Sequence, residues 1–125
     1  MAKKVVYWIT TGLLAALSAF AAFNYLTGSS QAVKGFAHVG YPQQLRILLG
    51  IAKLLGAITL VVPGLPKLKE WAYAGFTFAW TAAFVAHYVA KDGPGAFVPL
   101  VLLVFLAISY VTRPEARQWS AKAAA

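Results

Sequence analysis

The sequence predicts an all-α fold, an antiparallel four-helix bundle built into a membrane. Apolar residues make up 61% of the 125-residue chain and collect in four long runs. Charged residues are only 11% of it, and most flank those runs instead of striping one face of each. Glycine, proline or serine punctuates every gap between runs. With a mean hydropathy of +0.71, the chain is far more apolar than a soluble domain of its size. A segment in hydrocarbon must satisfy its own backbone hydrogen bonds, so each run is read as a helix of roughly 20 residues.

The first span covers about 5–26. It follows Lys3 and Lys4 and opens with Tyr7 and Trp8, where an interfacial aromatic belt would sit. Gly28-Ser29-Ser30 ends it. The run is too long for a cleaved signal peptide and lacks a clean cleavage site, so it is expected to be retained. The second span, 43–62, follows Gly40-Tyr41-Pro42 and stops at Pro63-Gly64-Leu65-Pro66. The third, 70–90, begins at Lys69-Glu70-Trp71 and ends before Lys91-Asp92-Gly93-Pro94. The fourth, 96–112, tolerates Pro99 in its first turn and stops at Arg113-Pro114. Residues 113–125 read as a cytoplasmic tail, whose Ala-rich end after Trp119 carries no packing signal. The whole chain is one transmembrane domain. Between the first two spans, Val33, Phe36, Ala37 and Gly40 recur at helical spacing, which reads as a short surface helix over the mouth of the bundle; an unstructured connector is the alternative.

Positive charge sets the expected orientation. Lys3, Lys4, Lys67, Lys69, Arg113, Arg117 and Lys122 fall on one side, against Lys34 and Lys91 with Arg46 at the interface. Both termini are therefore expected to be cytoplasmic, in a multi-pass protein of the inner membrane. This distribution accounts for the net charge of +8 without a single polyanion-binding patch, so the lipid bilayer is an expected partner and nucleic acid is not. With no cysteine there is no disulfide framework, thiolate metal site or dithiol centre. No nucleophile–base set, phosphate loop or carboxylate cluster is visible either. No catalytic residue, metal ligand or covalent cofactor is therefore assigned, and an activity of the chain's own is not expected.

The residues of interest are the polar ones that topology leaves over. Lys53 lies about ten residues from either end of its span, near mid-bilayer, where an ammonium needs a partner or a wet cavity. It either holds the bundle together through a structural partner or lines a pocket. Arg46, seven residues earlier, falls on the same helical face, with Gly50 and Gly56 close to it. In the third span Glu70, Tyr73, Thr77, Trp80, Phe84 and His87 mark one face at spacings of three and four. Glu70 would pair with Lys53 if its helix began deeper; otherwise it sits at the interface near Lys67 and Lys69. His87, Arg46, Asn24 and His38 gather at the external end above Lys53, although each histidine on its own reads equally as solvated.

The run Gly35-Phe36-Ala37-His38-Val39-Gly40-Tyr41-Pro42, followed by Arg46, Leu49-Gly50, Lys53-Leu54-Leu55-Gly56-Ala57 and Pro63, resembles the DoxX-like family of small bacterial membrane proteins. Lys69-Glu70-Trp71-Ala72-Tyr73-Ala74-Gly75-Phe76 with His87 downstream does so too, and the resemblance covers nearly the whole chain. It implies a four-helix membrane fold and an association with membrane redox systems, with no agreed catalytic residues to carry over. The expected function is an accessory component of a membrane redox or stress-response system that binds a lipid-like or quinone-like molecule near the external side. Lys53 and Arg46 would meet an anionic or carbonyl group, between flat walls from Trp80, Tyr73 and Phe84. One alternative is an assembly protein that packs against itself or a membrane redox partner. Another is a small dimeric transporter of an anionic substrate.

Overall fold

The computed structural model describes residues 2–117, and every regular element among them is helical. Helix α1 spans Ala2–Thr27, α2 Ser30–His38, α3 Gln43–Val61, α4 Pro66–Val89 and α5 Phe97–Val111. A 3-10 turn, Gly93–Ala96, leads into α5, and a second, Glu115–Arg117, follows it. Three stretches are long and apolar enough to cross a membrane: α1, α3 and Gly93–Val111. Helix α4, at 24 residues, is not among them: even beyond Lys67, Lys69 and Glu70, its His87, Tyr73, Tyr88, Trp80 and two threonines dilute the apolar content.

Local chemistry sets the boundaries. Gly28 takes a left-handed φ of +68°, which lets the chain reverse after α1, and the Ser29 hydroxyl then accepts from the Ala32 N–H at 3.2 Å to start α2. Of the two readings of the long connector, a helix is found. Pro66 occupies the first turn of α4, where its missing N–H costs nothing, so α4 starts ahead of the expected residue 70 and takes Lys69 into the helix. At the other end α1 starts at Ala2 instead of Val5, and Tyr7, assigned to an interfacial belt, is fully buried.

Helix α1 packs against α3 and α5, α4 packs against α5 and α3, and α2 lies across α1 and α3. The core is Leu14, Leu60, Tyr73, Phe76, Trp80 and Leu106, with the Phe76 and Trp80 rings stacked at 4.8 Å. Gly56 is required there, since a Cβ would come within 2.8 Å of the Phe76 ring. A buried hydroxyl cluster ties three helices together: Thr11 Oγ1 lies 2.5 Å from Ser109 Oγ, which lies 2.7 Å from the Tyr73 hydroxyl. Large apolar side chains point outward instead, Phe78 being 77% exposed, as on a surface not meant for water.

The start of the expected tail is docked. Arg113 pairs with Glu70, and Arg117 binds carbonyls of α3. The remainder, with Trp119 and Lys122, lies outside the described residues.

Candidate functional site

The α2 end of the molecule encloses a cavity of about 550 Å³ among α1, α2, α3 and α4. Aromatic walls come from Phe20 and Tyr25 of α1, Phe36 of α2, and Tyr41. Phe36, buried beneath α2, meets the Tyr25 ring edge-on at 5.0 Å and so holds the roof against α1. Asn24, Gln31 and His87 add polar groups, and Lys53 of α3 also lines the cavity.

Among the described residues, Lys53 has neither a carboxylate nor a hydrogen-bond acceptor for its ammonium. Its one partner is the Tyr25 ring, with the centroid 5.0 Å from Nζ. A cation over an aromatic face gains about 2 kcal/mol when desolvated. Taking an ammonium out of water costs several kcal/mol. The ring alone therefore does not offset burial, and the charge favours water or an anionic or carbonyl oxygen in the cavity. Lys53 thus both touches a neighbouring helix, through the Tyr25 ring, and lines the cavity, and Glu70 is not its partner.

Glu70 lies at the opposite end of the molecule. Arg113 Nη1 binds its Oε1 at 2.5 Å, the Tyr110 hydroxyl donates to Oε2 at 2.8 Å, and the Arg113 guanidinium stacks 3.7 Å from the Tyr110 ring centroid. The Lys53 pairing is therefore not formed; Glu70 stands near the start of α4, directly after Lys69, and its partners are Arg113 and Tyr110.

Arg46 shares a helix face with Lys53, but its side chain turns away from the cavity. Nη1 donates to the carbonyl of Tyr25, and Nε to Gln43 Oε1 at 2.8 Å. Near the C-terminus of α1 the carbonyls lack intrahelical partners and carry the negative end of the helix dipole, which a guanidinium satisfies. Tyr73 and Trp80 belong to the core and do not line the cavity, and neither does Phe84. The flat walls come from α1 and α2 instead.

His38 and His87 converge on a residue the sequence reading passed over as part of a turn, Asp92. His38 Nε2 lies 2.5 Å from Asp92 Oδ1, and His87 Nδ1 lies 2.6 Å from Oδ2. Hydrogen bonds from His87 and then His38 hold the Asp92 carboxyl below its ordinary range. The carboxylate ties the end of α2 to the turn between α4 and α5, alongside the cavity, and His87 belongs to both. Three residues on different elements are joined, with spacings of 49 and 5 positions that no local motif reveals.

The cations at the other end also turn out to be structural. Pro63 cannot supply the helical N–H that Thr59 O would accept, so the last carbonyls of α3 depend on side chains. Buried Lys69 donates to Thr59 O and Gly64 O at 2.8 Å each, and to Val62 O. Arg117 donates to Leu60 O at 2.9 Å, Val61 O at 3.1 Å and Val62 O at 3.3 Å. By sequence, both residues read as topological charge.

The DoxX-like family model matches residues 9–109, which contain every cavity residue named above. No curated protein and no solved structure matches the chain.

Proposed function

Since the chain belongs to the DoxX-like family, we propose that it is an integral membrane protein, with α1, α3, α4 and α5 forming a four-helix bundle, that binds an amphiphile in the cavity beneath α2. The exposed Lys3, Lys4 and Lys67 favour a cytoplasmic position for the end opposite α2, which puts the cavity in the external half of the bacterial inner membrane. The single observation that carries the reading is Lys53, an ammonium in an aromatic-walled cavity with no carboxylate beside it among the described residues. The head of the ligand is an anionic group or a carbonyl, as in a fatty carboxylate or a quinone. No catalytic step is assigned.

Titration of detergent-solubilised protein with palmitate and with a quinone, corrected for protein-free micelles, tests this. A hydrogen bond to a charged group contributes about 1.5–3 kcal/mol. Lys53→Ala should therefore bind one of the two probes roughly 10- to 150-fold more weakly, and Lys53→Arg should keep much of the affinity. Equal binding by wild type and Lys53→Ala would refute the site.

A further inference from the structure

A second space adjoins the cavity at Lys53. Leu49, Lys53 and Ala79 also line a second, open groove of about 340 Å³ between α3 and α4. From these shared residues the groove runs away from the α2 end, past Ala52 and Gly56 on α3 and Gly75 on α4, towards Thr59 and Trp71. Small residues at Ala52, Gly75 and Ala79 leave space between the helices, while the Phe76 ring packs onto Gly56 and forms part of the groove wall with Leu55, Leu68 and Trp71. Thr59 Oγ1 is already bonded to Leu55 O at 2.7 Å, so it makes no polar demand on an occupant.

We infer that this groove holds the hydrocarbon tail of the molecule whose head meets Lys53, so that cavity and groove form one site with a lateral opening between α3 and α4. The inference rests on the proposed amphiphile site and goes beyond it by assigning the tail a place and the ligand a route. Polarity along the continuous space has an amphiphile's order: Asn24, Gln31 and His87 at one end, the Lys53 charge at the junction, and apolar small residues beyond. A small soluble anion would use the cavity and leave the groove empty. The six residues from Lys53 to Thr59 give the tail about 9 Å of helix to lie along. With Lys53 midway along α3, the tail lies along the half of the helix pair nearer Thr59 and Trp71, and a molecule held in this direction enters sideways without leaving the membrane.

Gly75 and Ala52 give the test, because both line the groove and neither lines the cavity. A Cβ at Gly75 meets nothing within 4 Å, so a side chain has room to start there, and Gly75→Leu is the first plug for the groove. Ala52→Leu is the second plug, should the first variant fail to fold. The probes are octanoate and palmitate, alongside quinones with one and with several isoprene units; the series that binds more tightly identifies the head. Each fully buried methylene is worth about fourfold in affinity, so wild type should prefer the long-tailed probe by at least tenfold. Gly75→Leu or Ala52→Leu should abolish that preference and leave short-tail affinity within about twofold. Lys53-dependent binding with no tail-length preference, or a preference that survives both plugs, overturns the groove assignment and spares the head site. Binding of every probe that is indifferent to Lys53→Ala overturns the head site itself.

Discussion

Replacing Lys69 by methionine should unfold the protein at a markedly lower temperature, although the side chain is nearly isosteric and lies far from the cavity. Lys69 is fully buried, and its ammonium serves three carbonyls at the end of α3. Arg117 also reaches Val62 O, so methionine orphans two of the three, Thr59 O and Gly64 O. A buried acceptor left unsatisfied costs about 1–3 kcal/mol; Gly64 is exposed, so water serves its carbonyl, and the loss is set by the half-buried Thr59 O, about 1–3 kcal/mol in all. At roughly 4 °C per kcal/mol for a chain of this length, the midpoint should fall by about 4–12 °C. The assay is thermal unfolding followed by tryptophan fluorescence in one detergent, with Lys67→Met as the charge-matched control. Lys67 is exposed, and its loss should change stability by no more than about 0.5 kcal/mol. A Lys69→Met protein that melts with the Lys67→Met control would refute the argument that α3 ends on borrowed donors.

Three further outcomes follow from the same geometry. Gly56→Ala should destabilise by about 1–3 kcal/mol through overlap with the Phe76 ring, and Phe76→Leu in the same chain should recover part of the loss, read as a non-additive pair of melting shifts. Glu70→Gln should cost about 1–2 kcal/mol, because it keeps an acceptor for the Tyr110 hydroxyl but removes the charge opposite Arg113; a measured change near zero would mean that the pair adds nothing. The Asp92 carboxyl has a folded-state pKa depressed below its ordinary 3.8, so its contribution is present above that value and is lost as pH falls through the depressed one. The protection of α2 amides, measured as exchange relative to the intrinsic rate at each pH, should therefore hold from neutral pH down to the ordinary carboxylate value and fall below it, and Asp92→Asn should reduce it already at pH 7; equal protection in wild type and Asp92→Asn would refute the tie.

The helices are legible because length and composition alone mark an apolar run, and the position of Lys53 midway along α3 follows from counting residues to each end. What the sequence could not supply was the neighbour each side chain would choose. Arg46 and Lys53 share a face, yet a long flexible stem took the guanidinium to the Tyr25 carbonyl, a hydrogen bond between residues 21 positions apart. Tyr73 and Trp80 were correctly placed on the inward face of α4, but that face is divided between core and cavity, and periodicity does not say which part a ring enters. Asp92 sat in a turn sequence whose glycine and proline explained it well enough, so its role between two histidines was invisible. The charge-bias rule accounts for Lys69 and Arg117 without a second role, although Pro63 in the sequence signals that Thr59 O wants a donor.

Native mass spectrometry of the protein released gently from its own membranes tests the central claim most directly, because it needs no guess at the ligand. Wild type should carry an adduct of constant mass with an oxygen-bearing head and a long hydrocarbon tail, and Lys53→Ala, folded and purified identically, should have lost it. The same adduct at the same occupancy on both proteins would contradict the account.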